Sequence, residues 1–211
     1  YQASSSEMFG DYSSKKNETS SFQPRSPYGA AKVFGHHITN HYREAYGIFA
    51  CCGILFNHES PLRGLEFVTR KITSTLARIK FKKTNLLKLG NISAKRDWGF
   101  AGDYVEAMWL MLQQKKPNDY VISTGESHSV EEFLSLATEF AGLGDWHDFV
   151  KIDQSAMRPT DIEDLVGDSS IAQKQLNWKP KTSFHELVKM MVEYDIDFEK
   201  LHIDPLEFNK K

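Results

Sequence analysis

Residues 48–56 read Ile-Phe-Ala-Cys-Cys-Gly-Ile-Leu-Phe, an uncharged and almost wholly apolar run. It has the length of a strand, and its lack of polar alternation predicts burial on both faces, as in a parallel sheet. Parallel strands need helical crossovers, and the flanks supply candidates. Upstream, Tyr28–Tyr46 has helical patterning that stops at Gly47. Downstream, the loop NHESPLRG (57–64) leads to a basic amphipathic helix from Phe67 to about Lys82.

Further out the alternation continues. Tyr1–Ser4 reads as the end of a strand followed by a Ser-rich turn, and residues 11–27 as a polar loop with two prolines. After the basic helix come a short strand LLKLGN (86–91), then RDWGF (96–100) leading into a helix from about Ala101 to Gln114, and a strand DYVIST (119–124). A helix over Ser129–Ala141 opens on Ser-Val-Glu-Glu, a capping-box signature. Gly142–Asp168 reads as irregular, and helices over Ser170–Leu176 and Ser183–Glu199 follow. This is an α/β order. The predicted architecture is a partial Rossmann-like parallel sheet with a small α/β substrate-binding subdomain. Residues 1–56 belong to the sheet domain and 57–211 mainly to the substrate region, with about 86–128 returning to the sheet.

The bulk composition excludes several classes. With 26 basic and 28 acidic residues in 211, the formal charge of −2 leaves no electrostatic footprint for nucleic acid or an anionic membrane. No stretch approaches the roughly 20 apolar residues of a membrane span, so a cytoplasmic protein is expected. Cys51 and Cys52 are adjacent on a strand, where side chains alternate faces, so both are expected as reduced core residues. No Cys-x-x-Cys or Cys/His spacing suggests a metal. The chain opens without Met and holds no Gly-rich phosphate turn. If its chemistry needs a dinucleotide, the half that holds the pyrophosphate is expected N-terminal to Tyr1.

Tyr28 and Lys32 form a Tyr-x-x-x-Lys pair at a helix start, which puts both side chains on one face. An ammonium beside a phenol favours the phenolate and makes it a usable base. Alone the spacing is common. Ser4-Ser5-Ser6-Glu7 adds hydroxyls and a carboxylate at a strand end, where ligands bind in parallel α/β sheets.

YQASSSEMFG (1–10), PRSPYGAAK (24–32), GILFNHESPLRG (53–64), FVTRKI (67–72), GNISAKRDWGFAGDYVEAMWLML (90–112), RPT (158–160) and LNWKP (176–180) follow one another in an order that resembles the GDP-mannose 4,6-dehydratases, extended short-chain dehydrogenase/reductases. The Tyr-x-x-x-Lys pair belongs to that whole class, whereas NHESPxRG, FVTRKI and AKRDWG are narrow to the dehydratase. The resemblance implies catalytic roles for Ser5, Glu7, Tyr28 and Lys32, with Ser5 where Thr is usual. Tyr28 would take the proton of the sugar 4-hydroxyl and Glu7 the C5 proton, with loss of the 6-hydroxyl as water. It implies NADP as cofactor, touched by Tyr1, Tyr28, Lys32, His58 and Arg63. It implies GDP-mannose as substrate, met by Asn57, Val68, Lys71, Arg96, Arg158 and Asp161, with His58 and Arg63 also serving its phosphates. A homodimer or homotetramer, completed by an N-terminal half, is implied too. Leu62 stands where a second Arg is usual and Asp161 where Glu is usual. Two rivals stay open: a reductase or epimerase on the same scaffold, against which Glu7 argues, and a catalytically silent nucleotide-sugar-binding or oligomer-forming piece.

Overall fold

A computed structural model describes residues 1–10, 14–154 and 164–201. In chain order the elements are β1 (Gln2–Ser5), α1 (Pro27–Tyr46), β2 (Cys52–Leu55), β3 (Asn57–Glu59), α2 (Val68–Lys80), β4 (Leu87–Leu89), β5 (Lys95–Arg96), β6 (Trp98–Phe100), α3 (Ala101–Leu112), β7 (Asp119–Ile122), β8 (His128–Ser129), α4 (Val130–Ala141), β9 (Val150–Ile152), α5 (Ser170–Leu176) and α6 (Phe184–Leu201). They fall into two units. The first takes Tyr1–His58, Ala94–His128 and, of the described residues, 164–183; the second takes Glu59–Ser93, 129–154 and 184–201.

In the first unit the apolar run at 48–56 supplies the central strand of a parallel sheet, in the order β1-β2-β7. Ser5 pairs with Leu55 and Leu55 with Ile122, so the three strands end together at their C-terminal edge. Burial on both faces follows from the alternation of side chains. Cys51, Leu55, Tyr120 and Ile122 face a cluster completed by Tyr104, Ala107 and Met111 of α3 and by Ala172, Leu176 and Trp178. Ile54, Phe56 and Val121 face the opposite cluster, with Met8, Phe9 and Leu165. Each large apolar side chain buried this way contributes about 1.5–3 kcal/mol. The two cysteines are free, and they divide between the faces: Cys51 Sγ lies 3.5 Å from the Met111 carbonyl and Cys52 Sγ 3.5 Å from Asn40 Oδ1.

In the second unit α2, α4 and α6 pack on one another through Ile72, Leu76 and Ala77, Phe133, Leu134 and Ala137, and Leu187, Val188, Met191 and Val192. The α4 capping box forms as the sequence predicts: Ser129 Oγ accepts from the Glu132 amide at 3.0 Å, and Glu132 Oε2 accepts from the Ser129 amide at 2.7 Å. Gly142 closes the helix at φ 65°.

Three segments differ from expectation. Gly142–Asp168 is not wholly irregular, because β9 lies in it and pairs in parallel with β4, Leu87 opposite Val150 and Leu89 opposite Ile152. A three-residue strand whose residues are all at least partly exposed leaves too little pattern to read. The loop expected from Asn57 onward begins with β3, and RDWGF contains β6 before its helix. None of the described helices is long and apolar enough to cross a membrane.

Candidate active site

Ser5 is the last residue of β1 and the N-cap of a single 3₁₀ turn, Ser6–Met8, its Oγ accepting from the Glu7 amide at 3.3 Å. Met8 and Phe9 anchor that turn with wholly buried side chains. Glu7, the residue just before them, is half-buried, and its carboxylate has no hydrogen-bond partner among the described residues.

The helix that brings Tyr28 starts on the same turn. Ser26 caps α1, its Oγ accepting from the Gly29 amide at 3.0 Å, and Pro27 occupies the first helical position. A Cβ on Gly29 would lie 2.7 Å from the Glu7 carbonyl oxygen, so only glycine lets the first turn of α1 settle there. Tyr28 is 55% exposed. Lys32 Nζ donates to the Ala3 carbonyl at 2.8 Å and stands 5.5 Å from the centre of the Tyr28 ring. Hydroxyl, carboxylate, phenol and ammonium thus gather on β1 and the two turns at its C-terminal end, a set with two groups able to accept protons close together.

The other residues singled out are dispersed. Tyr1 precedes β1 and lies over Gly53 of β2, where a Cβ would approach its Oη to 2.7 Å. Four residues of strand, about 13 Å, separate it from Ser5. Asn57 and His58 open β3, one residue beyond the end of β2. The His58 ring stacks on Tyr104 at 5.1 Å, and its Nδ1 is 2.9 Å from the Phe56 carbonyl. Arg96, on β5, donates from Nη1 to its neighbour's carbonyl at 2.7 Å. In the second unit, Arg63 stands 3.3 Å from the Glu59 carboxylate with its guanidinium 3.5 Å from the centre of the Phe67 ring. Val68 and Lys71 open α2, both half-buried. Arg158 and Asp161 lie outside the described residues.

Two polar networks escape sequence reading. His36, Asn40 and Arg43 continue the helix face that carries Tyr28 and Lys32, since their spacing is four, four and three. His36 Nδ1 is 3.0 Å from Ser4 Oγ, and its Nε2 is 3.4 Å from Asp119 Oδ2. Asn40 donates to Asp119 at 3.0 Å, and Arg43 pairs with Asp119 while donating to the Ala50 carbonyl at 2.7 Å. This ties α1 to all three strands of the sheet. His36, Cys52 and Asp119 bring three ligand-type atoms within 4.8 Å of one another, but Arg43 supplies the cation that Asp119 and Cys52 face. In the second network, Asp97 of the AKRDWG motif is fully buried and accepts from the Thr124 amide (2.8 Å), the Thr124 hydroxyl (2.6 Å), the Gly125 amide (3.0 Å) and the Gly167 amide (3.2 Å). Burial nonetheless holds that carboxyl above the usual range.

The first network predicts an acid-sensitive fold. Burial lowers the His36 pKa below its ordinary 6.5, outweighing the Asp119 carboxylate, which raises it; His37 and Arg43 lower it further. The unfolded chain therefore takes up the proton first, and the stability contributed by neutral His36 is present above pH 6.5 and lost as pH falls below it. Burial raises Asp119, but Arg43, with His36 and Asn40, outweighs it and holds the carboxyl below 3.8, so a second loss comes as pH falls below that value. Urea unfolding from pH 8 to 5 is expected to show the first loss in the wild type and its absence in His36→Gln. Equal slopes in the two proteins would remove His36 as its source.

The order of the parallel sheet, with the candidate groups at the carboxyl edge of its strands, is that of a Rossmann-type α/β protein. Solved structures of that class superpose on it: an RMD from Pseudomonas aeruginosa complexed with NADPH has a TM-score of 0.83 at 19% identity, over 92% of this chain and 65% of its own. A dTDP-glucose 4,6-dehydratase from Bacillus anthracis in complex with NAD has a TM-score of 0.80 at 18% identity, over 94% and 61%. Within the class, residues 1–191 match the family model described as GDP-mannose 4,6 dehydratase, and the chain belongs to that family. It is 59% identical over 200 residues to GDP-mannose 4,6 dehydratase 1 of Arabidopsis thaliana, covering 95% of this chain and 55% of the relative. It is 47% identical to the Homo sapiens GDP-mannose 4,6 dehydratase, covering 93% and 58%. The chain spans about half the length of the curated relatives it matches.

Proposed function

We propose that this chain carries the catalytic groups and much of the donor site of a GDP-mannose 4,6-dehydratase that converts GDP-mannose to GDP-4-keto-6-deoxymannose. The observation that carries the reading is Glu7: a carboxylate with no hydrogen-bond partner among the described residues, on the turn that receives the Tyr28–Lys32 helix. A simple epimerase or reductase needs no base for elimination. Tyr28 removes the 4-hydroxyl proton and Ser5 hydrogen-bonds that oxygen, with the Lys32 ammonium beside the phenol ring. The resulting ketone acidifies C5, whose proton Glu7 removes as it helps expel the 6-hydroxyl as water. NADP, when bound, supplies the hydride chemistry, accepting at C4 and returning to C6.

Tyr28 and Lys32, both solvent-accessible beside the end of β1, fit the nicotinamide-ribose end of NADP. These 211 residues hold no Gly-rich turn for its pyrophosphate, so the isolated chain is expected to be inactive and to need an N-terminal half for tight cofactor binding. Asn57, His58, Arg63, Val68, Lys71, Arg96, Arg158 and Asp161 serve the GDP-sugar in this reading. Self-association as a homodimer or homotetramer is supported by Phe34, Ile38, Tyr42 and Tyr46, an apolar stripe on α1 that is 41–69% exposed. Reduced, buried cysteines agree with a cytoplasmic setting.

Calorimetric titration of the chain with GDP tests the donor site. Arg63→Ala is expected to weaken binding by about 1.5–3 kcal/mol, tenfold or more in Kd, through loss of a charged hydrogen bond. An unchanged Kd would take Arg63 out of the nucleotide site.

A further inference from the structure

The loop 59–67 and the first turns of α2 are bound together by a chain of charged groups that none of the roles above requires. Asp195, on α6, is 3% exposed and receives a two-pronged contact from Arg70, Nη2 to Oδ1 at 2.7 Å and Nε to Oδ2 at 3.2 Å. Thr73, wholly buried, donates to the same carboxylate at 2.6 Å. The remaining prong of Arg70, Nη1, reaches back to the loop and donates to the carbonyls of Pro61 and, at 2.9 Å, of Arg63. Next along α2, Thr69 donates to the buried Glu59 carboxylate at 2.6 Å, and Glu59 in turn faces Arg63 at 3.3 Å. The backbone at Arg63 is thus gripped through its carbonyl and its side chain is held between Glu59 and the Phe67 ring.

We infer that Asp195, acting through Arg70, is a positioning residue for Arg63: it fixes the two-carbonyl clamp that aims the Arg63 guanidinium at a nucleoside diphosphate. The inference rests on the nucleotide-site reading of Arg63 given above. A planar guanidinium is the one side chain that can hold a carboxylate on one edge and two carbonyls on the other, and a carboxylate is what keeps it so oriented. With Asp195 neutralised, Arg70 keeps its charge but loses its fixed edge, and the loop carbonyls lose a donor in register. The diphosphate is either that of a GDP-sugar or the pyrophosphate of a dinucleotide, and the two are separable by probe.

The test is a double-mutant cycle on GDP binding, with guanosine as the phosphate-free control. Asp195→Asn is expected to raise the Kd for GDP about tenfold while leaving guanosine unchanged, and to add nothing in an Arg63→Ala background, because its effect passes through Arg63. A general loss of structure would weaken both ligands and add to Arg63→Ala, and either result overturns the inference. Arg70→Lys, which keeps the charge but not the fork, is the second variant if Asp195→Asn does not fold; it is expected to give the same pattern. NADPH titrations of the chain joined to the remainder of the Arabidopsis relative form the second arm, and losses confined to them assign the diphosphate to the dinucleotide. If the wild type binds neither probe, the nucleotide-site reading fails; the clamp is then decided by hydrogen exchange at the Leu62 and Arg63 amides, which bond to Ser60. Faster exchange in Asp195→Asn upholds the clamp, and equal exchange removes it.

Discussion

Glu7→Gln is expected to abolish formation of the 4-keto-6-deoxy product when this chain is completed with the part of its Arabidopsis relative that it does not span. A positioned general base contributes about 10²–10⁴-fold, and the amide keeps the shape of the carboxylate while removing its basicity. The role proposed for Glu7 comes after oxidation at C4, so GDP-mannose binding should hardly change and the loss should fall on kcat. Ser5 and Tyr28 are expected to remain in place, because the turn Ser6–Met8 is held by its backbone bonds and by the buried Met8 and Phe9. Washing out deuterium from C5-labelled substrate would separate the steps further. Turnover near that of the wild type would strike Glu7 from the elimination.

The largest stability effect is expected at Asp97. Replacing it with Ala takes the acceptor from three backbone amides, that of Gly167 buried and those of Thr124 and Gly125 part-buried. It leaves the Thr124 hydroxyl only the Glu126 carbonyl at 3.2 Å among the described residues, and the whole change costs about 3–5 kcal/mol. Two loops depend on that carboxylate, Thr124–Gly125 after β7 and Gly167 before α5, and Gly167 also forms a parallel bridge with Lys16. Asp97→Asn would still accept from Thr124, but its amide nitrogen would face the Gly125 and Gly167 donors, so it should recover only part of the loss. Urea denaturation decides the matter: a change below about 1 kcal/mol for the Ala variant would mean that water replaces the carboxylate at this site.

The sheet, its central strand and the capped helices were legible because each rests on local pattern: the unbroken apolar run at 48–56, Gly47 and Gly142 as left-handed stops, and Ser129 with Glu132. The pairing of Tyr28 with Lys32 was legible for the same reason. What joined that pair to Ser5 and Glu7 was the chain-long resemblance, since residues so far apart meet only through the crossover of α1 and the close approach that Gly29 permits. Asp97 and Asp195 could not be read as buried anchors. Their partners lie 27 to 125 residues away, and a lone Asp between Arg and Trp, or on a helix rich in charge, has no local mark of its surroundings. β9 was missed because pairing partners, and not its own three residues, make it a strand.

The continuation of the Tyr28–Lys32 face into His36, Asn40 and Arg43 makes α1 a cantilever. Its working tip is the first turn and its clamp lies about 18 Å down the axis, twelve residues on at Asn40. A rotation of about 3° at such a clamp displaces the tip by about 1 Å, and an error of that size is enough to slow a proton transfer about a hundredfold. Small repacking around Asp119 should therefore be felt as lost chemistry before it is felt as lost fold. The alignment of this site is set at the far end of a rod, and Gly29 is the rest on which the near end is laid.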